Sequence, residues 1–210
     1  MRKVPLIPPT AGMTRDALRQ QLRASRRALS FEFRLQAAIS AAMKLCASEA
    51  YRDARRIAVY MAMDGELDPT PLIMRCRTDE RELYLPVLPP MEGAMSFRPY
   101  NMDTPLVPNR FGILEPKFAE GGRMAKDMDL VVTPIVGFDM QGNRLGMGAG
   151  FYDRTFGFLR HMEKPRPLLI GYAYEIQKVP ALSAEAWDVP LAAVATEQHF
   201  YPRSPRSESA

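Results

Sequence analysis

The sequence has few of the side chains on which covalent and metal-dependent catalysis usually depend. Among its 210 residues there are 2 histidines, 2 cysteines and 1 tryptophan. His161 lies at a charged helix end and His199 near the C-terminus, so we expect both at the surface. Cys46 and Cys76 lack the spacing of a zinc site and have no histidine nearby in sequence. Zinc chemistry and a cysteine nucleophile are therefore poorly supported.

The sequence also lacks the features of secreted and membrane proteins. Its two cysteines, both in apparently helical segments, argue against a disulfide scaffold and for a reducing compartment. No run of residues approaches the roughly 18 apolar positions of a membrane helix. The first ten residues have neither the length nor the apolar block of a signal peptide. We therefore expect a cytoplasmic protein with no membrane partner.

A large excess of charge of one sign is absent as well. The formal net charge is +4, the isoelectric point is near 9.2, and the arginines crowd the N-terminal third. Such a small basic excess is compatible with nucleic acid, but a local anionic ligand explains it equally well. With 47% hydrophobic residues, the chain can bury one good core. We expect one domain over 1–210, with a core at 14–197 and flexible termini at 1–12 and 202–210.

Neither common nucleotide-binding motif is present, but a different glycine-rich segment is. The chain has no Walker A run, and Gly146, Gly148 and Gly150 form G-x-G-x-G where the Rossmann motif has G-x-G-x-x-G. Glycines allow positive φ and let backbone N–H groups approach an anion. Asp153 follows in the first turn of a helical run, where a carboxylate can reach a cation bound to a phosphate. Segment 129–153 therefore predicts a phosphate-binding loop with a metal ligand.

The hydrophobic pattern predicts an α/β fold in layers. Two helices, capped by Thr14 and Ser30, precede any strand, and strands and helices then alternate. The continuous apolar runs DLVVTP and PLLIGYA are typical of a mostly parallel sheet covered on both faces. We expect helices at 14–29, 31–50, 69–77 and 151–162, strands at 56–62, 82–86, 130–133, 168–174 and 193–196, and a hairpin-like piece at 94–99.

Three arginines form a stripe on the first predicted helix. Arg15, Arg19 and Arg23 stand at i, i+4 and i+8, so their guanidinium groups line one face about one turn apart. Such a stripe can bind a polyphosphate, but a solvated helix face is the commoner explanation of a charged stripe. An RNA-binding role is a third hypothesis, although 14–29 contains none of the aromatic residues that usually accompany such patches.

Several residues elsewhere are candidates for contacting a substrate. Glu66 follows a predicted strand, where α/β folds present ligand contacts, but it can equally supply negative charge before the next helix, as Asp68 already does. Phe111 and Glu115 can stack on and hydrogen-bond a flat heterocycle, although anchoring of a loop in the core is the commoner role for such a phenylalanine. Asp188 stands alone beside the single tryptophan, and capping of a turn is its default interpretation.

Three segments together resemble the 5-formyltetrahydrofolate cyclo-ligase family. They are DGELDPTPLI, GFDMQGNRLGMGAGFYDR and AWDVPLAAVATE, and the resemblance extends from about Arg15 to Glu197. It implies a single-domain three-layer αβα sandwich with a mostly parallel sheet, similar to the ribose-phosphate isomerase and CoA-transferase superfamily. It also implies ATP and Mg²⁺ as co-reactants, 5-formyltetrahydrofolate as substrate and a monomer that does not bind nucleic acid. An isomerase or acyl-CoA-type enzyme on the same architecture is the weaker alternative.

The resemblance also implies a role for individual residues. It implies ATP contacts at Arg15, Asp16, Ala17, Leu18, Arg19, Arg144, Leu145, Gly146, Met147, Gly148, Ala149, Gly150, Phe151 and Tyr152. It implies folate contacts at Arg19, Met61, Glu66, Phe111, Met147, Gly148, Ala149, Gly150 and Phe151. It implies catalytic roles for Arg144 and Asp153, and Mg²⁺ ligation by Asp153 and Asp188. Arg15 replaces the usual lysine of the family, which keeps the charge and changes its geometry.

Overall fold

The computed structural model describes residues 13–118 and 120–204. The leader predicted at 1–12 and the tail from 205 onward lie outside the described residues. The helices are α1 (Arg15–Arg27), α2 (Phe31–Cys46), α3 (Glu49–Arg52), α4 (Thr70–Thr78) and α5 (Phe151–Phe156). The strands are β1 (Arg56–Ala58), β2 (Glu82–Val87), β3 (Ser96–Pro99), β4 (Leu106–Pro108), β5 (Leu114–Pro116), β6 (Leu130–Pro134), β7 (Gly137–Phe138), β8 (Arg144–Leu145), β9 (Leu168–Tyr172), β10 (Ala193–Ala195) and β11 (Phe200–Pro202).

A seven-stranded, mostly parallel sheet forms the centre of the molecule. Its strand order is β11-β10-β9-β6-β1-β2-β3, and only the two edge strands, β3 and β11, run antiparallel to their neighbours. The central pairs align Ile57 with Leu130 and Val131 with Leu169. These strands are buried on both faces, which explains why their sequences are continuously apolar.

Alternate residues of each strand enter two different parts of the core. Leu130 and Val132 pack in the cluster beneath α2 and α4, whereas Val131 packs in the cluster on the opposite face with Phe156 of α5. Successive side chains of a strand point to opposite faces, so both faces of the sheet are covered. The three-layer α/β fold predicted from the sequence is therefore confirmed.

Helix α1 takes a position different from that of the other helices. Its buried residues Leu18 and Leu22 pack against Val136, Leu145 and Val179 in a third, smaller cluster. The helix thus lies against the segment after β6, the end of β8 and the segment that follows β9. Thr14 caps it as predicted, because the Thr14 hydroxyl accepts a hydrogen bond from the Ala17 N–H at 3.2 Å.

Some predicted elements were too long. The helix predicted at 31–50 is divided, because α2 ends at Cys46 and Ser48 caps α3 by accepting the Tyr51 N–H at 3.2 Å. The strand predicted at 56–62 ends at Ala58. The helix predicted at 151–162 ends at Phe156 and continues as a 3₁₀ segment at Gly157–His161.

Short antiparallel elements were missed. They are the pairs β4–β5 and β7–β8 and the edge strand β11, which includes Pro202 from the tail predicted to be flexible. Arg203, also in that tail, is held by a backbone hydrogen bond, because its N–H donates to the Ala192 carbonyl at 2.9 Å. Strands of two or three residues are too short to give a periodic signal.

Candidate functional site

A cavity of about 620 Å³ opens at the carboxyl ends of the parallel strands. Its wall is formed by the segments that follow β1, β2 and β6, by the glycine loop before α5, and by two arginines of α1. Ligands of open α/β sheets bind at this edge. The cavity is lined by most residues to which the resemblance assigned a role, namely Arg15, Arg19, Met61, Glu66, Phe111, Arg144, Gly146, Met147, Gly148, Ala149, Gly150, Phe151, Tyr152, Asp153 and Asp188.

Four residues assigned to ATP are not in the cavity wall. Leu18 and Leu145 are buried in the small core cluster under α1, so their side chains hold the helix and cannot face a ligand. Asp16 and Ala17 are exposed on α1, and the Asp16 carboxylate pairs with Arg19. Asp16 therefore acts on the site through Arg19, and the other three can offer only backbone groups.

Two of the three glycines in the loop have the positive φ that was predicted for it. Gly148 has φ +100° and Gly150 has φ +66°, a region that other residues rarely adopt. Gly146 does not have a positive φ, contrary to the prediction for all three. A Cβ added at Gly146 would meet no atom within 4 Å, so the space beside it is open to the cavity. The Gly146 carbonyl accepts a hydrogen bond from Arg19 Nε at 2.8 Å, which fixes the start of the loop.

Arg144 and Asp153, at the two ends of this loop, form an ion pair. Arg144 is only 8% exposed, and its guanidinium contacts both the Asp153 carboxylate and the Val189 carbonyl. Asp153 Oδ1 also accepts the Val189 N–H at 3.0 Å. The pair therefore joins β8, α5 and the segment after Asp188, and it holds a positive and a negative group at the cavity wall.

The Asp188 carboxylate caps a turn, as its default interpretation predicted, and it also lies in the cavity wall. Its Oδ2 accepts the Glu185 N–H at 3.0 Å, which is the expected turn cap, and lies 3.5 Å from Arg15 Nη1. Arg15 Nη1 also donates to the Ser183 carbonyl at 2.9 Å. The carboxylate thus caps a turn and lines the cavity at the same time.

The donor set at this wall fits a magnesium ion. The described residues contain no group of three or more histidine, cysteine or acidic side chains that would make a complete metal site. Mg²⁺ is usually held by only one or two carboxylates together with substrate phosphates and water. Asp153 and Asp188 both line the cavity beside the glycine loop, and each uses one carboxylate oxygen in the hydrogen bonds above. Two carboxylates beside the glycine loop match the number of side-chain ligands that such an ion takes.

The arginines of α1 do not form a solvated stripe. Arg19 contacts the glycine loop, Arg15 the segment 183–188, and Arg23 Nε the Asp64 carboxylate at 2.8 Å. Asp64, which has φ +54°, also pairs with Arg26 at 2.9 Å and with Arg27. Helix α1 therefore contacts three different segments through its arginines: the glycine loop, segment 183–188 and the segment of Asp64.

Glu66 faces the cavity and does not serve as a helix cap. Its side chain is 9% exposed, Oε2 accepts the Met63 N–H at 3.1 Å, and Oε1 lies 3.8 Å from Arg26 Nη2. Burial raises the pKa of Glu66 to about 6, although the Met63 N–H and Arg26 favour the ionised form. Asp68 supplies the cap instead by accepting the Thr70 N–H at 2.9 Å.

Phe111 is not a core anchor. It is 49% exposed and makes an edge contact with Phe151, with ring centroids 6.0 Å apart. Glu115 has the anchoring role, because its Oε1 accepts the Leu88 N–H at 2.9 Å and Asn109 Nδ2 at 2.6 Å. The two phenylalanines therefore present an apolar aromatic surface to the cavity.

Sequence reasoning missed several residues of the cavity wall. Trp187 is 61% exposed there, and it was noted in the sequence only as the neighbour of Asp188. The apolar residues Tyr60, Met63 and Leu88 also line the cavity. They lie in segments that directly follow β1 and β2, and this position in the chain was the one signal that could have identified them.

The model of the 5-formyltetrahydrofolate cyclo-ligase family matches residues 11–197. The chain is 40% identical to the 5-formyltetrahydrofolate cyclo-ligase of Escherichia coli K12, over 83% of this chain and 96% of that protein. It is 42% identical to the Haemophilus influenzae protein of the same name, over 67% of this chain and 74% of that one.

Solved structures show a similar arrangement. The Aquifex aeolicus 5,10-methenyltetrahydrofolate synthetase superposes with a TM-score of 0.75 at 30% identity, covering 94% of this chain and 97% of that one. The Mycoplasma pneumoniae 5,10-methenyltetrahydrofolate synthetase superposes with a TM-score of 0.68, over 88% of this chain and 99% of that one, and at 23% identity it bears on the fold alone.

Proposed function

The chain belongs to the 5-formyltetrahydrofolate cyclo-ligase family, and from this premise we propose that it converts 5-formyltetrahydrofolate to 5,10-methenyltetrahydrofolate with ATP and Mg²⁺, releasing ADP and phosphate. One observation supports the proposal above all. The glycine loop with its Arg144–Asp153 pair opens into the same cavity as Glu66 and the aromatic surface of Phe111. In this proposal the phosphate and the flat heterocycle would therefore bind next to each other.

The reaction requires activation of an inert amide. The nitrogen lone pair of a formamide delocalises into its carbonyl, so the carbon is a poor electrophile and the oxygen a poor leaving group. Attack of the formyl oxygen on the γ-phosphorus of ATP breaks the bond to the β-phosphate bridging oxygen and releases ADP. The resulting iminium phosphate has an electrophilic carbon. Folate N10 then attacks this carbon, phosphate departs with the former formyl oxygen, and the N10 proton is lost.

The residues of the phosphate side act through charge and position. Phosphoryl transfer needs positioning and charge neutralisation more than a side-chain nucleophile, which agrees with the scarcity of histidine and cysteine. Arg15, Arg19 and Arg144 line the cavity and would offset the charge of a triphosphate. Asp153 and Asp188 would hold a Mg²⁺ ion, which would neutralise phosphate charge when bound. The ion pairs already present keep these side chains in place before the ligand arrives.

Other residues of the cavity wall suit the folate. Glu66 is a buried carboxylate that can accept hydrogen bonds from the amide and amine N–H groups of a pterin. Met61, Phe111 and Phe151 supply apolar surface for its rings. Because ring closure is intramolecular, a folate held with N10 near the activated carbon gains a large entropic advantage. We therefore assign to these residues the role of orienting the folate.

Trp187 is suited to the base of the nucleotide. Its ring is largely exposed in the cavity, whereas the backbone on each side is fixed, by Arg160 Nη1 donating to the Ala186 carbonyl at 3.0 Å and by Val189 N–H donating to Asp153. A purine stacked on an aromatic side chain typically contributes about 1–3 kcal/mol. Trp187 adjoins Asp188 in the chain, so in this proposal the base would lie near the phosphates.

An absorbance assay tests the proposal. Purified protein mixed with Mg-ATP and 5-formyltetrahydrofolate should generate the near-ultraviolet absorption band of the methenyl product, together with ADP in equal amount. 5-Methyltetrahydrofolate, which has no formyl oxygen to phosphorylate, is the matched control and should give neither. If the band does not appear although the 5-formyltetrahydrofolate and the ATP are intact, the cyclo-ligase assignment is wrong. Product formed without ADP would favour an isomerase-like or acyl-transfer reaction.

The proposal also covers the oligomeric state, the cellular compartment and the absence of an RNA partner. The monomer that the family resemblance implies is part of the proposal. Cys46 and Cys76 are both free thiols, which supports a reducing, cytoplasmic compartment. Within the described residues no helix is both long enough and apolar enough to cross a membrane. Arg15, Arg19 and Arg23 are engaged with loops of the site, which argues against an RNA-binding face.

A further inference from the structure

Two arginines flank the aromatic surface that Phe111 and Phe151 present to the cavity. The guanidinium carbon of Arg110 lies 5.0 Å from the centroid of the Phe111 ring, and that of Arg154 lies 5.1 Å from the centroid of the Phe151 ring. A cation over an aromatic face is attracted by the ring quadrupole. Because the two rings also contact each other, the four side chains form one continuous group between the β4–β5 connection and α5.

Both arginines lack a carboxylate partner within the part of the chain that the structure describes. Arg110 Nη1 donates to the Pro89 carbonyl at 3.0 Å and to the Pro90 carbonyl. Arg154 Nη2 donates to the Ala149 carbonyl at 2.7 Å. A guanidinium carries five N–H donors, so each exposed side chain keeps donors for a further ligand. The arginines of α1 and β8 that line the cavity, by contrast, all pair with aspartates.

The turn that carries Arg110 is fixed before any ligand binds. Asn109 Oδ1 accepts the Phe111 N–H at 2.8 Å and the Ile113 N–H at 3.1 Å, an arrangement that closes the turn between β4 and β5. Asn109 Nδ2 in turn donates to Glu115, which anchors the turn to the end of β2. A ligand that meets this turn therefore has little backbone to order, and this lowers the cost of binding.

We propose that Arg110 and Arg154 bind the carboxylates of the glutamate part of the folate, an inference that rests on the folate substrate proposed above. In a folate the pterin, N10, the benzoyl ring and the glutamate follow one another in a line. When the pterin is held at the buried Glu66 and the benzoyl ring on Phe111 and Phe151, the glutamate comes next along this line. The two arginines beside those rings are the cations that it meets.

The charges of the two partners match. The glutamate of a monoglutamyl folate carries two carboxylates, and both are ionised at neutral pH. A guanidinium can bind a carboxylate through two parallel hydrogen bonds. Since both arginines are exposed, each contact contributes modestly and is weakened by salt. The two residues therefore set the preference for folates over analogues without these charges, and the reacting groups lie elsewhere in the cavity.

Calorimetric titration of the full chain tests this inference. The ligands are 5-formyltetrahydrofolate and its diamide, in which both glutamate carboxylates are replaced by neutral amides, each titrated with Mg-ADP present so that no phosphoryl group can be transferred. The wild type should bind the folate about tenfold more tightly than the diamide, as expected for two exposed charge contacts. In Arg110→Gln/Arg154→Gln the Kd for the folate should rise about tenfold, while the Kd for the diamide stays within about twofold. Arg52→Gln, which removes an exposed arginine of α3, is the matched control and should keep the preference.

Three results would overturn the inference. The wild type could bind the folate and the diamide equally, or bind neither. The double variant could lose affinity for both ligands to the same extent, and the arginines would then only support the rings. It could instead lose affinity for Mg-ADP with an unchanged folate Kd, which would assign the arginines to the nucleotide.

The absorbance assay separates this inference from the proposed reaction. Wild-type protein that prefers the folate to the diamide but forms no methenyl product would refute the reaction and leave the assignment of Arg110 and Arg154 intact. Wild-type protein that forms the product from both compounds with the same KM would refute the assignment alone.

Discussion

At the scale of single residues, the site depends on charges that are paired before any ligand binds. Arg144 is nearly buried, and a buried guanidinium is costly unless its hydrogen bonds are satisfied. Asp153 and the Val189 carbonyl satisfy it. The same contacts fix the direction in which the guanidinium meets the cavity, so the group needs little reorganisation when a phosphate arrives.

The first prediction concerns this pair. Arg144→Ala and Asp153→Ala should each lower turnover at least about a hundredfold, the order expected when a transition-state charge contact is lost. Arg144→Lys should be intermediate, because lysine keeps the charge and cannot fork to both partners. Steady-state kinetics on folded variants measure this, with Arg52→Ala, at an exposed arginine of α3, as control. Near-normal turnover in both alanine variants would refute the role of the pair.

The second prediction follows from the pKa of Glu66. Burial raises this pKa to about 6, so the carboxylate becomes protonated on mild acidification, and a protonated carboxyl group accepts fewer hydrogen bonds. The KM for the folate should therefore rise as the pH falls through about 6, while the KM for ATP changes little. In Glu66→Gln, which cannot ionise, the folate KM should be raised at every pH and lose this dependence. A variant with the wild-type pH profile would exclude Glu66 as the titrating group.

At the scale of elements, α1 organises the site. Three loops that are far apart in sequence meet its arginines, and the most buried of these contacts is at Asp64. Arg26 is 0% exposed and donates to the Asp64 carboxylate and carbonyl and to the Ile135 carbonyl. Burial raises the pKa of Asp64, but hydrogen bonds from Arg23 and Arg27 outweigh it and hold this pKa below its usual value. The ion pairs of Asp64 therefore stabilise the fold.

The third prediction is that Asp64→Ala destabilises the protein by about 3 kcal/mol, because the buried Arg26 loses its carboxylate partner at 2.9 Å and keeps only the Glu66 carboxylate at 3.8 Å. Arg27→Ala, at a side chain that is 54% exposed, should cost less than about 1 kcal/mol. Urea denaturation measures both. Since the folded pKa of Asp64 is lowered, its contribution is present above the unfolded value near 3.8 and disappears as the pH falls below it. Equal effects of the two substitutions would contradict this account.

The elements that could be predicted from the sequence are those whose signal is local. The strands β6 and β9 are continuous apolar runs. The glycine loop could be recognised because Gly148 and Gly150 allow positive φ and Asp153 adds a carboxylate directly after them. The division of the second helix was missed, because residues 47–48 have no break in apolar pattern and Ser48 acts as a cap only after the chain turns there.

The contacts that could not be predicted join distant parts of the chain. Nothing near Asp64 in sequence indicates that it will meet three arginines of α1, since that depends on how the helix lies across the loops. The same holds for Trp187, which reaches the cavity only because segment 183–189 is held by Arg15 and Asp153. The hydrophobic pattern of the sequence predicts the strands of the sheet. The residues of the cavity wall depend on contacts between distant segments, which that pattern does not contain.

At the scale of the whole molecule, the cavity is the place where otherwise separate parts of the chain meet. The glycine loop, segment 183–189 and the segment after β1 make their fixed contacts with α1 or with the Arg144–Asp153 pair. A ligand that bridges these segments adds contacts that the unfolded chain lacks. Its binding free energy is therefore also a free energy of folding.

The last prediction is a thermal shift on binding of a nucleotide in this cavity. Mg-ADP at a hundred times its Kd should stabilise the protein by about 2.7 kcal/mol, which for a chain of this size raises Tm by roughly 5–10 °C. Trp187, the only tryptophan, should report the same titration by its fluorescence. Arg144→Ala should lose most of the shift, whereas Ile39→Glu should keep it, because α2 lies outside the cavity wall. If Mg-ADP gives no shift while 5-formyltetrahydrofolate alone does, the cavity binds the folate and the nucleotide site lies elsewhere.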